Sequence, residues 1–433
     1  MKQIKIGVGF GLWRLGMPTP ETIVHVAEKA EDWGLDSFWL SDHLLSPSPE
    51  LDVVATLAVL ASRTSRIKLG PSVLLLNLRH PLTVAKSFAT LDYYSHGRMV
   101  MAVGTGANLA DYAATGIALE TRGRRLDEGV EVLRKVWTQS NVSHHGRFFN
   151  FDNVTLKPHP ARRTNNDSGT IDIWVGGKSE SALRRTARMA DGYFASFLTP
   201  DEFSRNMTAI RGYAAEYGRA NARIESGLIL LCRLGPSRDR ARAELEPVVR
   251  SLDRGGEEFF SRTVFGTAAD IIQRVDEYVA RGLDKFVLWP VAEPEAWAGQ
   301  VETIGREIAA TTRGLRRPRP RRAPAPGRVR APAPPNISCI MKPERVSLGL
   351  DAPQDLRPHE LLDRPRARAN RRVVDLSHRA RGADGHAALR GVPEQSRDRA
   401  QHSRRATQET GRARNSRAHG RPRRRAPRRI PAD

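Results

Sequence analysis

The sequence predicts an α/β protein: a (β/α)8 TIM barrel over residues 1–314, followed by a disordered Arg/Pro-rich tail over residues 315–433. Three observations predict this. Short apolar runs alternate with amphipathic stretches through the first part, which is the pattern of βα units around a parallel sheet. Eight such units fit into about 300 residues, the size of a closed barrel. The positive charge is segregated: about 31 Lys+Arg and about 11 Asp+Glu lie beyond residue 314, so roughly +20 of the total +22 belongs to the tail and the first part is close to neutral. An open doubly wound sheet is the alternative that the same alternation allows.

Strands are expected over 4–9, 37–41, 67–75, 98–104, 171–175, 192–196, 227–232 and 285–289. Helical patterns follow each of them, over about 20–33, 51–62, 81–94, 120–138, 178–190, 200–217, 266–281 and 295–310. Runs such as Val73-Leu74-Leu75-Leu76 and Ile229-Leu230-Leu231 suit strands buried on both faces. Pro81 suits the first turn of the third helix, and Gly266-Thr267 suits a helix N-cap. Residues 139–170 are read as a hairpin or loop inserted between units four and five. Residues 233–265 are read as an extra helix and loop before the seventh helix. Long insertions at the C-terminal rim of a barrel usually cover its active site.

Composition sets limits on function. Cys232 and Cys339 are the two cysteines, too few for a disulfide framework or a cysteine metal site, and they suit a reducing cytoplasm. The N-terminus runs straight into a strand pattern without a signal-peptide h-region, and no apolar run reaches about 18 residues, so neither export nor a membrane span is expected. In the tail Arg outnumbers Lys about thirty to one with almost no apolar periodicity, too little to offset chain entropy. It reads as an appended or out-of-frame extension. The other reading is a polyanion-binding arm that touches nucleic acid only non-specifically, because aromatic interleaving and known nucleic-acid modules are missing.

Several short constellations carry chemistry. Asp42-His43 ends the second strand, where barrel enzymes place catalytic groups. The pair can hold a cofactor ring and move a proton, or serve as a helix cap beside a satisfied ring. Ser72 and Val73 lie at the end of the third strand, and Leu78-Arg79-His80-Pro81 opens the next helix, with His80 either cofactor-facing or structural. Gly104-Thr105-Gly106 leaves the fourth strand, letting backbone approach a planar ligand. Gly176-Gly177-Lys178 lies between the fifth strand and its helix. That position favours phosphate, or it is a tight glycine turn. His144-His145 reads as exposed rather than metal-binding. No Rossmann glycine fingerprint, Walker loop, His-Glu-x-x-His or Gly-x-Ser-x-Gly motif is present.

In order, these pieces resemble the luciferase-like monooxygenase family across about residues 3–310. The matching elements are Trp39 to His43, His80-Pro81, Leu91-Asp92 with Ser95-x-Gly97-Arg98, and Gly104-Thr105-Gly106. They continue with Trp174-Val175-Gly176-Gly177, Ala190-Asp191-Gly192, Gly266-Thr267 and Gly282-Leu283-Asp284. The resemblance implies an oxidoreductase acting on a small molecule. One branch uses the deazaflavin coenzyme F420 for hydride transfer. The alternative branch uses reduced FMN and oxygen for monooxygenation. Leu69-Gly70-x-Ser72-Val73-Leu74 is similar to the segment in which the F420 branch carries a non-proline cis peptide, here Ser72–Val73. The resemblance casts His43 as the acid/base and Asp42, Ser72, Val73, Gly104, Thr105, Gly106, Gly176, Gly177 and Lys178 as cofactor-binding. It also implies a homodimer and a flavin or F420 reductase partner. Deazaflavin sugar-phosphate dehydrogenases have a Glu after Gly-Thr-Gly and a Trp shortly after the His; here Ala107 and Pro47 stand there, against a sugar phosphate as substrate.

The tail reading has a direct test. Limited proteolysis should leave a resistant core of about 310 residues, because disordered segments are cut first. Protection extending beyond about residue 340 would contradict it.

Overall fold

The computed structural model describes residues 2–11, 13–161, 169–252, 256–312 and 316–317. All of them fall within one compact unit, Met1–Pro332. The expected disordered tail, apart from Arg316–Arg317, lies outside the described residues. Those two pair antiparallel with Lys2–Gln3.

Eight parallel strands form the barrel: β1 Lys5–Phe10, β2 Ser37–Leu40, β3 Lys68–Pro71, β4 Val100–Val103, β5 Asp172–Gly176, β6 Gly192–Ser196, β7 Glu225–Leu234 and β8 Lys285–Pro290. Hydrogen bonding runs β3-β2-β1-β8-β7-β6-β5-β4. Parallel bridges Leu69–Met99 and Leu74–Val103 join β3 to β4 and close the ring. The closed barrel, not the open sheet, is therefore the fold. The helices that follow the strands are α1 Pro20–Trp33, α2 Val53–Arg63, α3 Pro81–Tyr94, α4 Arg122–Thr138, α5 Glu180–Met189, α6 Pro200–Glu216, α7 Ala268–Ala280 and α8 Pro294–Thr303. Thr19, Asp52, Ser179, Thr199 and Thr267 cap α1, α2, α5, α6 and α7 through their side chains. Each satisfies a backbone N–H that the first helical turn leaves open.

Apolar burial has two layers. One lies between strands and helices. The other fills the barrel, where Trp39, Trp174 and Phe194 meet with ring centroids 4.3–5.8 Å apart. Gly192 and Gly227 make room for Trp174, since a Cβ at either would lie within 2.8 Å of its ring. The N-terminal end of the barrel is closed by buried Lys285. Its ammonium bonds Asp36 and, at 3.0 Å, Ser37 Oγ, and lies 5.4 Å from the Trp39 ring centroid. Burial pulls its pKa down to about 8 despite the Asp36 charge beside it.

The structure departs from the sequence reading in places. β3 stops at Pro71, and Leu74, Leu75 and Leu76 are buried in the rim and a following 3-10 turn rather than in a strand; an apolar run shows burial, not conformation. Residues 139–170 do contain the inserted hairpin, Val142–His145 against Asn150–Val154. His144, expected to be exposed, is buried: its ring stacks on Phe151 and its Nε2 lies 3.4 Å from Glu128 Oε1. Its neighbour His145 is exposed, as expected. The 233–265 segment adds helices Arg238–Ser251 and Gly256–Phe260 and a short strand, Val264–Gly266, beside the end of β7. A short helix after β4, Leu109–Thr115, was not expected.

Arg98 fixes the β3–β4 seam from below. Its guanidinium donates to Ser95 O, Thr64 Oγ1, Ile67 O, Ala61 O and Thr64 O at 2.7–2.9 Å, tying the end of α2 to the start of β4. Lysine cannot reproduce that planar fork. Arg98→Lys should lower unfolding free energy by about 2–4 kcal/mol, read from the urea midpoint. A loss under about 0.5 kcal/mol would show that the seam does not depend on the fork.

Candidate active site

The C-terminal ends of the strands converge on one mouth. β3 delivers Ser72 and Val73, whose peptide bond is cis. The Val73 side chain lies across two neighbouring strand ends. A Cβ at Gly104 would come within 2.5 Å of Val73 Cγ2, and one at Gly176 within 2.9 Å of Val73 Cγ1. Val73, Gly104 and Gly176, three residues the sequence singles out, thus share one spot. Beside them Ser72 Oγ is buried and has no hydrogen-bond partner among the described residues.

β2 delivers Asp42 and His43. Asp42 is buried, and both its oxygens bond within the chain. Arg79 Nη1 and Nη2 donate to it at 2.6 and 2.8 Å, and Leu75 N–H donates at 2.8 Å. Its carboxylate therefore braces the chain just after Val73, and any hold on a ligand from Asp42 is shared with Arg79. Nothing in the sequence around Arg79 marks it for this role. His43 is exposed, and no hydrogen bond or ion pair to its ring is found among the described residues. His80 caps α3, its Nδ1 accepting from Leu82 N–H at 3.3 Å, and its ring packs edge-on against Phe149.

β4 continues into Gly104-Thr105-Gly106. Thr105 O accepts from Tyr112 Oη and from Asn77 Nδ2 at 3.3 Å, so the loop is held from behind. Gly106 has φ +68°, and a Cβ there would press on Leu75 at 2.9 Å. Another residue the sequence did not single out is Asp111, buried, which accepts from Leu45 N–H at 2.9 Å across 66 residues.

β5 ends in Gly176-Gly177-Lys178, ahead of the Ser179 cap of α5. Gly177 has φ +119°, a conformation open chiefly to glycine. Gly177 and Lys178 line a cavity of about 400 Å³ with Ser196, Phe197, Phe259 and Arg262. Lys178 is exposed. Arg262 is held by Glu202 at 2.7 Å and Glu258 at 2.9 Å. A groove of about 1060 Å³ lies elsewhere, between α4, the hairpin and the N-terminal end of β6. It is an ion-paired surface along α4, with Arg134 on Asp191 and Arg188 on Asp127, and its lining includes none of the strand-end residues of the mouth. Barrel chemistry belongs to the C-terminal end.

The sequence matches of this chain agree with that geometry. Residues 5–281 match the luciferase-like monooxygenase family. The chain belongs to this family. An F420-dependent glucose-6-phosphate dehydrogenase of Kineococcus radiotolerans is 32% identical over 185 residues, 41% of this chain and 52% of that protein. An FMNH(2)-dependent dimethylsulfone monooxygenase of Pseudomonas putida is 31% identical over 176 residues, 40% of this chain and 46% of that protein. The matched part thus spans about half the length of these curated relatives. Among solved structures, a coenzyme F420-dependent tetrahydromethanopterin reductase from Methanopyrus kandleri superposes with a TM-score of 0.60 at 19% identity, covering 72% of this chain and 99% of that one. That likeness shows the shared fold.

The Arg262–Glu202 pair gives the site a pH signature. The Arg262 bond, with the Thr199 N–H, outweighs burial and lowers the Glu202 pKa from 4.5 to about 2. A depressed carboxylate contributes stability that is fully present above its unfolded pKa and is lost as pH falls through the folded value. The urea-derived stability gap between wild type and Glu202→Gln should therefore be constant above about pH 5 and shrink between about pH 4.5 and 2. A gap that does not change with pH would remove this ion pair from the acid response.

Proposed function

We propose that this chain is an oxidoreductase that transfers a hydride between the deazaflavin coenzyme F420 and a small organic substrate. The observation that carries this reading is the floor of the mouth, where Val73 lies over Gly104 and Gly176 with the unpartnered Ser72 Oγ beside it. A planar ring system needs a flat apolar floor and a polar edge, and these residues fit one. When bound, the coenzyme supplies hydride exchange at a ring carbon.

The chain's own residues do the rest. Val73 supports the ring face, and Asp42 with Arg79 fixes the segment behind it. Thr105 and the flanking glycines leave room for the ring edge. Gly176-Gly177-Lys178 receives the phosphate, using backbone N–H groups ahead of α5 and the Lys178 charge. His43 accepts the substrate's hydroxyl proton on an imidazole nitrogen when an alcohol is oxidised, and returns it when a carbonyl is reduced. In this reading the enzyme works in the cytoplasm as a homodimer with a reductase regenerating its coenzyme, and the tail is an appendage to residues 1–314. The second reading is a monooxygenase fed with reduced FMN by a flavin reductase. The similarity to the dimethylsulfone monooxygenase, 31% over 176 residues, favours it.

Titration of the full chain with F420 and, separately, with reduced FMN distinguishes the two. F420 should bind the more tightly. Gly177→Asp should weaken F420 more than about tenfold, with Gly177→Ala as the control for backbone strain; a change within about twofold removes the phosphate role. With a turned-over substrate, His43→Ala should slow kcat by about 10²–10⁴-fold while leaving the F420 dissociation constant within about twofold. A loss below about fivefold makes His43 structural.

A further inference from the structure

Part of the mouth's rim is uncharged and aliphatic. After His43 the chain reads Leu44-Leu45-Ser46-Pro47-Ser48-Pro49, and after β4 it reads Gly104-Thr105-Gly106-Ala107-Asn108-Leu109-Ala110. Neither segment holds a charge. Leu44, Leu45 and Leu109 are 55%, 44% and 64% exposed. Single exposed leucines are ordinary, but a group of them on adjoining loops points to a ligand or partner.

These loops are clasped together. Asn108 Nδ2 donates to Leu45 O at 2.8 Å, and Leu45 N–H donates to Asp111 Oδ1 at 2.9 Å. Asn108 Nδ2 also reaches Asp111 Oδ1 at 3.2 Å. Asp111 is 1% exposed, and its Oδ2 has no hydrogen-bond partner among the described residues. A buried carboxylate is costly unless it is bonded, and here its bonds hold an aliphatic ledge in the open, next in sequence to the exposed ring of His43.

We infer that this ledge seats the substrate, and that the substrate is an uncharged molecule with a hydrocarbon body whose reacting group lies toward His43. The inference rests on the oxidoreductase reading above and adds the substrate class to it. A phosphorylated or carboxylated substrate lying along these loops would meet no cation on either segment. Three half-exposed side chains also fall well short of the roughly 800 Å² per partner that a stable protein interface covers.

The test uses unbranched 2-alkanones from butanone to octanone, with binding to the full chain measured by calorimetry with and without F420. The dissociation constant should fall about two- to fourfold per added methylene. Leu109→Asp should weaken 2-octanone more than about tenfold while F420 affinity stays within about twofold. Asp111→Ala, which opens the clasp and leaves the leucines in place, should also weaken 2-octanone selectively. Affinity independent of chain length, or a Leu109→Asp protein that binds 2-octanone like wild type, overturns the inference. So does light scattering that shows a wild-type dimer converted to monomers by Leu109→Asp, since the ledge is then an interface between copies. The two readings fail separately. Chain-length dependence without F420 or FMN binding keeps the ledge and removes the oxidoreductase. F420 binding without chain-length dependence does the reverse.

Discussion

At the barrel mouth the side chain of Val73 occupies space that a Cβ at Gly104 or Gly176 would need. Much of the site's geometry depends on that contact. It brings the ends of three strands, β3, β4 and β5, to one point, and it requires two of them to end in a residue without a side chain. The braces behind it serve the same point. Asp42 and Arg79 fix the chain just after Val73, and Tyr112 and Asn77 hold the carbonyl of Thr105 just after Gly104. A tightly packed interior passes displacement on rather than absorbing it, so a shift in any of these braces reaches the floor of the mouth.

The electrostatics divide along the barrel axis. At the N-terminal end, the Lys285 ammonium is enclosed with Asp36, Ser37 and two indole rings. At the C-terminal end the rim is mixed. One sector is the neutral ledge of Leu44, Leu45 and Leu109. Another presents Lys178, with Arg262 already committed to two glutamates. A ligand with an anionic end and a neutral end would find different surroundings for each within one mouth.

The barrel was legible in the sequence because its signals are local. Each of the eight strands is a short apolar run, and some connections carry a turn or capping residue such as Pro81 or Thr267. Asp42-His43 and Gly176-Gly177 could be placed at strand ends for the same reason, and the family resemblance put the cis peptide at Ser72–Val73, where the structure has it. What stayed hidden was pairing across the chain. Nothing near Asp42 announces that Arg79, 37 residues on, occupies both its oxygens. Asp111 reaches Leu45 across 66 residues. His144 looked exposed because its partners, Glu128 and Phe151, come from a helix and the opposite hairpin strand. The run from Val73 to Leu76 misled in the other direction, since burial in a rim and burial in a strand leave the same apolar trace.

The seam between β3 and β4 differs from the rest of the ring. Neighbouring strands elsewhere pair over three to six consecutive residues, whereas this seam is bridged only at Leu69–Met99 and Leu74–Val103. Between the bridges Gly70 lies against the carbonyl of Val100, where a Cβ would come within 2.2 Å. The wall that forms the floor of the mouth is therefore the one least held by its own backbone ladder. Its shape is imposed by side chains outside the sheet, Arg98 at one end and Asp42 with Arg79 at the other. The inheritance of this site consequently runs through residues outside the strands: a descendant could exchange many strand side chains and keep the mouth, while the loss of one of these three would alter it with every strand intact.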